Sequence, residues 1–332
     1  MLQYIISVLT IGAIVGILSL GLNVRWGWVG DLDLAYYLFV AMGAYVGGAL
    51  QAGPSQNLGD GSGWILGMTL PFPVALLIGG AVGAASAAIV GGIALFRLRG
   101  DYFAITTLAF TLIAVEFLSQ NRNIFDGFNG VYGIPQPFES QLNLSQDDYQ
   151  WFFLGLCCVL LIIVYLILNL LYHSAFGRTL RAVREDEIAA AAFGRNVYSL
   201  KLKAYVIGGA CAGLGGVLFA AYLSTWNPTV WAPAETFLLY AGIFLGGQAN
   251  SKGVVIGTII VVVAIPEATR FLPEIPGHGD LFPALHLVFV GIVLIAVLRF
   301  RPQGLLPEPR SRDRDNRWRR KPPPPIVEAV NG

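Results

Sequence analysis

Residues 151–172, WFFLGLCCVLLIIVYLILNLLY, form an apolar run of 22 residues without a charged side chain. A helix needs about 20 mainly apolar residues to cross the hydrocarbon core of a bilayer, so this run is long enough for one crossing. The whole chain is 55% hydrophobic and 12% charged, whereas a soluble globular chain carries about 25% charged residues. So few ions cannot cover a surface exposed to water, but a surface facing lipid needs none. The sequence therefore predicts an integral membrane protein.

Similar apolar stretches recur on both sides of this run. The predicted spans are 2–24, 32–50, 72–96, 103–120, 151–172, 201–223, 235–249, 253–270 and 281–299. They predict an all-α polytopic transmembrane bundle with about nine spans, within a range of about eight to ten. The range allows for the short stretch 235–249, since short segments interrupted by glycine often line a cavity instead of crossing the membrane fully.

The positions of the 21 lysine and arginine residues predict the orientation of the spans. If the N-terminus is outside and the C-terminus inside, the inner loops and their helix ends hold all of these cations except Arg122 and Arg270. Arg25 is then a cation of the inner loop 24–31, while the outer loop 51–71 has none. Because cytoplasmic loops are enriched in Lys and Arg, we expect this orientation.

The chain divides into a membrane domain and a tail. Residues 1–300 form the predicted transmembrane domain, which includes a long cytoplasmic loop at 173–200. Residues 301–332 form a basic tail with seven cations between 310 and 321, followed by four prolines at 322–325. This composition is typical of a disordered segment that lies near anionic lipid. The alternative is that the cations serve only to fix the topology.

The loop between two of the predicted spans contains a charged, alanine-rich segment. Residues 173–203 are HSAFGRTLRAVREDEIAAAAFGRNVYSLKLK. Gly177 and Gly194 bracket strong helix formers without proline, which predicts a helix over 178–193. Such a helix, lying along the membrane surface, is suited to dock into a groove on a cytosolic partner. The alternative is an ordinary amphipathic connector at the membrane interface.

Motifs of enzymes are missing from the sequence. It has no Gly-x-x-x-x-Gly-Lys-Ser/Thr phosphate loop, so any dependence on ATP would need a partner chain. His173, His278 and His286 are far apart and fit no metal-binding pattern. Recognition of nucleic acid has no support beyond the charge of the tail. We expect neither an enzyme nor a cofactor bound to this chain.

Five stretches of the chain are distinctive, and in chain order they are RGDYFAITTLAF (99–110), NGVYGIP (129–135), GRTLRAVREDEIAAAAFGRN (177–196), LGGQANSKGVVIG (245–257) and RPQGL (301–305). Together they resemble the LivM-type permeases of branched-chain amino acid ABC transporters. They extend over some two-thirds of the chain. The chain departs from the family in two places: Leu112 and Val115 stand where a Glu and an Arg are common, and GDLDL at 30–34 replaces a Ser-Leu-Gly-Gln/His type motif.

The resemblance implies a membrane-spanning permease subunit of an ATP-binding-cassette importer in the plasma (inner) membrane. Its solute would be a branched-chain or another neutral amino acid, with urea and short amides as further options. The implied partners are a LivH-like second permease, two cytosolic ATPase subunits that carry ATP and Mg, and an extracytoplasmic solute-binding protein. The alternative from another class is a secondary transporter of a small polar solute, driven by an ion gradient.

By the same resemblance, the 178–194 helix would be the coupling helix that sits in a cleft of the ATPase. Its charged residues would give directional pairing and its small residues would permit close approach. The residues assigned to this coupling role are Gly177, Arg178, Arg184, Glu185, Asp186, Glu187, Ala190 and Gly194.

Five polar or small residues are candidates for the translocation pathway. An ionised side chain at the bilayer centre costs about 2.5–3.5 kcal/mol, so Glu116, one turn from the outer end of its span, is one of them. Asp31 and Asp33 lie near an inner helix start, where the helix dipole explains them equally well. Asn129 and Gly130, in an outer loop, are candidates for shaping the mouth or meeting the binding protein.

Overall fold

The computed structural model describes residues 2–54, 64–98, 100–139, 145–231 and 233–270. From the remainder of the chain it describes 288, 291–292, 295–296, 299–300 and 303–308. The predicted span 281–299 and the predicted disorder of the tail 301–332 therefore lie largely outside the described residues. Within them, the fold is a helical bundle with one two-stranded sheet, which confirms the all-α prediction.

Twelve α-helices make up the described part of the bundle. They are α1 (Leu2–Val29), α2 (Tyr36–Ala52), α3 (Phe72–Arg97), α4 (Asp101–Gln120), α5 (Arg122–Phe125), α6 (Gln146–His173), α7 (Ala175–Glu185), α8 (Glu187–Ala192), α9 (Val197–Leu223), α10 (Pro233–Gly246), α11 (Ser251–Thr258) and α12 (Ile265–Arg270). A π-helical segment, Ile259–Ala264, joins α11 to α12, and the strands are β1 (Val131–Tyr132) and β2 (Thr225–Trp226).

Six stretches of the described residues are helical, long and apolar enough to cross a membrane. They are α1, α3, α4, most of α6, α9 and the continuous run Ser251–Ala268. The helices α2 and α10 have only 17 and 14 residues. Each of the eight predicted spans that lie in the described part of the chain overlaps a helix, although the total count of nine is not established by these helices.

Helix α9 lies at the centre of the bundle, where it packs against α1, α2 and α3. Glycines four residues apart make this packing close. A Cβ atom on Gly213 would meet the backbone of Gly79 and Gly80, and one on Gly43 would meet the backbone of Gly213. In lipid, the hydrophobic effect contributes little to the association of helices, so close backbone approach supplies dispersion contacts instead.

The run from α11 to α12 changes its helical pitch before Pro266. Proline has no N–H to donate, and its ring clashes with the preceding turn of an α-helix. The helix widens over Ile259–Ala264, where the N–H of Ile265 donates to the carbonyl oxygen of Ile260, five residues back. A π-segment of this kind accommodates the proline without ending the helix.

The sheet joins two loops at the end of the bundle where α1 begins. β1 pairs antiparallel with β2, with Val131 opposite Trp226. The N–H of Ile134 donates to the carbonyl oxygen of Ser224 at 3.1 Å. These bonds hold the loop after α5 against the end of α9.

The first helix is longer than predicted, and this corrects the position of Arg25. The predicted span 2–24 ended before Arg25, which was assigned to a loop, but α1 continues to Val29. The side chain of Arg25 is 1% exposed. A charge at this position is tolerated only because the fold brings a counter-charge to it.

Candidate functional site

Arg25 and Asp33 form an ion pair that is buried in the bundle. The guanidinium Nη1 of Arg25 contacts Oδ2 of Asp33, and the two side chains are 1% and 0% exposed. Arg25 lies in the last two turns of α1, and Asp33 lies in the turn of residues 30–35 that joins α1 to α2. We call residues 30–35 the α1–α2 turn.

Both carboxylate oxygens of Asp33, and its backbone N–H and carbonyl oxygen, contact another element or the residue's own turn. Its Oδ1 accepts from the hydroxyl of Tyr205 at 2.6 Å and from the N–H of Ala35 at 3.0 Å. Its backbone is bonded to Tyr240, whose hydroxyl accepts from Asp33 N–H at 2.8 Å and donates to Asp33 O at 3.0 Å. Asp33 therefore ties α1, α9 and α10 together at one point.

Arg25 is surrounded by aromatic rings. Its Cζ lies 3.8 Å from the ring centroid of Tyr205, 4.7 Å from that of Phe39 and 5.2 Å from that of Tyr36. Its Nη2 also donates to the carbonyl oxygen of Tyr205 at 2.9 Å. The space comes from Gly208, where an added Cβ would lie 2.7 Å from Nε of Arg25. Cation–π contacts and a carboxylate together compensate the loss of water around this cation.

A second charged cluster lies next to the first, closer to solvent. Nζ of Lys201 lies 2.8 Å from Oδ1 of Asp31 and also contacts Oε1 of Glu187. Burial raises the pKa of Asp31 above its usual value, and the ammonium of Lys201 opposes that rise. Lys201 is in the second turn of α9, Asp31 is in the α1–α2 turn and Glu187 begins α8. The cluster therefore connects three elements through one lysine.

The 173–200 segment contains two helices instead of the single predicted helix over 178–193. α7 ends at Glu185 and α8 begins at Glu187, because Asp186 adopts an extended conformation with φ −157° and ψ 108°. Oδ1 of Asp186 accepts from the N–H groups of Ile188 at 2.8 Å and Ala189 at 2.9 Å. Asp186 is thus the N-cap of α8, and its carboxylate is already engaged by the backbone.

Arg184 holds the segment to the bundle. Its Nη1 donates to the carbonyl oxygen of Gly27 in α1, and its Nη2 lies 2.8 Å from Oε2 of Glu308. Tyr172 donates to the other oxygen of Glu308 at 2.8 Å. The chain around Glu308 is itself bound to the end of α10, since Leu306 N–H donates to Gly246 O at 3.0 Å.

The other face of the segment is open. The buried side chains are Leu180 and Val183, together with Gly177 and Ala190. Phe193 and Ile188 are 86% and 77% exposed, and Arg178, Glu185 and Gly194 are also on the exposed side. Gly194 has φ +76°, and nothing lies within 4 Å of the position of its missing Cβ. Two large apolar side chains therefore project outward among charges.

Glu116 lies on the exposed side of α4, away from the two charged clusters. Nε2 of Gln120 donates to its carboxylate. It lines a shallow groove with Leu112, Ile113, Phe117, Gln120 and Asn121. In this groove Glu116 lies beside the polar side chains of Gln120 and Asn121.

Asn129 and Gly130 lie in the loop that precedes β1. The side chain of Asn129 is exposed and donates to Oδ2 of Asp126 at 3.2 Å. Gly130 has φ +73°, and a Cβ there would collide with the backbone of Trp226 and Asn227. Gly130 therefore allows the close approach of the two loops that β1 and β2 join.

Reasoning from the sequence missed the partners that complete these clusters. Arg25 was interpreted as a topological cation, and Lys201, Tyr205 and Glu308 were not singled out. A signal for Arg25 was available, since an ionisable residue at the end of an apolar run, eight residues before an acid, is expected to be paired. No sequence pattern indicated that Lys201 meets Asp31, because 170 residues separate them.

The chain matches a family of transport permeases over most of its length. The family described as branched-chain amino acid transport system / permease component matches residues 4–298. The high-affinity branched-chain amino acid transport system permease protein LivM of Escherichia coli (strain K12) is 33% identical over 92% of this chain and 70% of its own length. No solved structure matches.

Two further relatives widen the comparison. The probable branched-chain amino acid transport permease protein LivM of Methanocaldococcus jannaschii is 29% identical over 88% of this chain and 90% of its own length. The LivH permease protein of Escherichia coli (strain K12) is 24% identical over 93% of this chain and 96% of its own length. The family match covers the bundle almost completely, and the chain therefore belongs to the branched-chain amino acid transport permease family, as a multi-pass protein of the plasma membrane.

Proposed function

We propose that this chain, as the LivM-like permease of an ABC importer, forms a translocation pathway together with a LivH-like permease. The solutes are branched-chain or other neutral amino acids, with urea and short amides as further members of the range. Two cytosolic ATPase subunits carry ATP and Mg, and an extracytoplasmic binding protein delivers the solute. Relatives named LivM and LivH that both align over nearly the whole chain support a pair of related permeases.

The proposal includes the orientation and the span count. The N-terminus lies outside and the C-terminus inside, and the bundle has about nine spans including 281–299. The asymmetry of the cations supports this orientation. The 173–200 segment and the α1–α2 turn then lie on the cytoplasmic side, where an ATPase would bind.

The observation that carries the proposal is the open face of α7 and α8. Phe193 and Ile188 project outward, flanked by Arg178 and Glu185. Exposed apolar side chains rimmed by charges are typical of a protein interface. The open face, with Gly194 at its end, makes contact with the ATPase.

The remaining coupling residues have a different role in this proposal. Gly177, Arg184, Asp186, Glu187 and Ala190 shape the segment and hold it on the bundle, as their contacts with the bundle and the backbone support. The segment therefore presents a preformed surface to the cleft of the ATPase, so binding does not have to order the segment first.

The proposed pathway retains its five residues. Glu116 faces the second permease across the exposed side of α4, and Asn129 and Gly130 shape the mouth on the outer side. Asp31 and Asp33 control the inner end of the pathway from within their ion pairs and do not contact the solute directly. The full burial of Asp33 supports this division.

Reconstitution tests the proposal. The complex of both permeases and both ATPases is placed in vesicles that contain ATP and Mg, with the binding protein outside, and uptake of leucine, alanine, urea and acetamide is measured. We expect one class of these solutes to be taken up, and this uptake to occur only when ATP is present. Uptake by this chain without ATP, driven by a sodium or proton gradient, would overturn the proposal in favour of a secondary transporter.

A further inference from the structure

The ammonium of Lys201 lies between two carboxylates from different parts of the chain. Its Nζ is 2.8 Å from Oδ1 of Asp31 and in contact with Oε1 of Glu187. The three side chains are 10%, 18% and 35% exposed in the order Lys201, Asp31, Glu187. The lysine is therefore mostly covered, and its charge depends on both acids for compensation. We call these three residues the Lys201 bridge.

A second contact lies one helical turn further along α9. Residues four positions apart on a helix project from the same face, so Tyr205 lies beyond Lys201 on the side that meets the α1–α2 turn. The hydroxyl of Tyr205 donates to Asp33 at 2.6 Å, and Asp33 is paired with Arg25. The two acids of the turn, at 31 and 33, are thus both held by α9.

The bridge is a charged connection between α8 and the α1–α2 turn. On the α8 side it begins at Glu187, whose helix buries only Ala190 against the bundle. A helix that is held by so little apolar area can move without disrupting the core. If α8 moves, Glu187 either pulls the Lys201 ammonium with it or moves away from it. In the second case the mostly buried ammonium has one carboxylate fewer to compensate its charge, which is unfavourable.

We propose that Lys201 is a positioning residue that couples the position of α8 to the α1–α2 turn, and through that turn to the buried Arg25–Asp33 pair. This inference rests on the proposed function, since the ATPase is the partner that moves α8. Energetically, the ATPase shifts the bundle between states only through contacts that differ between those states. The Lys201 bridge supplies such a contact.

The test compares variants of Lys201 in the reconstituted complex. Lys201→Gln removes the charge, Lys201→Arg keeps it, and Lys203→Gln removes an exposed cation two residues away on the same helix. The measured quantity is the number of solute molecules imported per ATP hydrolysed. We expect Lys201→Gln to lower this ratio at least about fivefold, the lower end of measured couplings between sites. We expect Lys201→Arg and Lys203→Gln to retain it.

A structural readout accompanies the ratio. Amide hydrogen exchange of residues 30–35 is measured with and without ATP. We expect ATP to change this exchange in the wild type and in Lys201→Arg, and to leave it unchanged in Lys201→Gln although α8 still responds. If the exchange of 30–35 responds to ATP equally in Lys201→Gln, or if the ratio equals that of Lys203→Gln, the inference is wrong.

A second set of variants covers the case in which Lys201→Gln does not assemble. Lys201→Glu reverses one charge of the bridge, and the combination of Lys201→Glu, Asp31→Lys and Glu187→Lys reverses all three and restores both attractions. Recovery of the ratio in the triple variant above that of Lys201→Glu supports the inference, and no recovery overturns it. A wild-type complex that imports solute without ATP refutes the proposed function itself, which separates the two failures.

Discussion

Removing either charge of the Arg25–Asp33 pair should destabilise the bundle far more than removing both. In Asp33→Asn the amide oxygen can still accept from Tyr205 and from the N–H of Ala35, so the volume and these two hydrogen bonds are kept. What is lost is the counter-charge of a guanidinium that is 1% exposed. Breaking a buried pair by removing one partner costs about 3–5 kcal/mol, because the other charge remains buried.

The reciprocal change, Arg25→Met, leaves the Asp33 carboxylate without its cation at a position that is 0% exposed, so a loss of about 3–5 kcal/mol is expected again. In the double variant neither charge remains. Replacing both members of a buried ion pair is often neutral or stabilising, by up to about 4 kcal/mol. Two additive losses would total about 6–10 kcal/mol, whereas the double variant is expected to lose nothing, so the expected coupling energy is about 6 kcal/mol or more.

The assay is reversible unfolding in mixed micelles, in which the fraction of a denaturing detergent is increased and helicity is followed by circular dichroism. The four proteins of the cycle are compared by their free energies of unfolding. If each single variant loses less than about 1 kcal/mol, or if the losses add to within about 0.5 kcal/mol, then the pair is not a compensated buried interaction and the reasoning fails.

Three further predictions concern packing, pH and the open face. Gly213→Val places a side chain against the backbone of a neighbouring helix and should lower the free energy of unfolding by about 1–3 kcal/mol or more in the same assay. The control Gly155→Ala has open space around it and should be neutral or stabilising by up to about 1 kcal/mol. Burial raises the pKa of Asp31, so the folded state binds this proton up to a higher pH than the unfolded state does. The free energy of unfolding should therefore fall as pH rises through the pKa of Asp31 in the folded protein, and Asp31→Asn should remove this slope. An identical slope in both proteins would contradict the assignment. Phe193→Ala should change stability by less than about 0.5 kcal/mol, since the ring is 86% exposed, but should weaken co-purification with the ATPase; unchanged co-purification would exclude Phe193 from the interface.

The sequence alone was sufficient for the class of protein and the approximate position of its helices. The run 151–172 lies within α6, and the predicted span 72–96 ends one residue before α3 does. These predictions succeed because a bilayer imposes its thickness on each span separately, so that local composition determines the helix. The family was also recognisable from its motifs, since the resemblance depends on residues near one another in the chain.

The tertiary structure alone decided where the charges lie. Arg25 has the same neighbours in the sequence whether it faces water or the core, and it is buried because Asp33, Tyr205 and the space at Gly208 are brought to it. The break of the 173–200 segment at Asp186 was missed because alanine-rich sequence favours a continuous helix, while the cap competes for the same backbone N–H groups. A charge pairs with the partner that the packing of the helices brings within a few ångströms. Distance along the chain does not determine that partner.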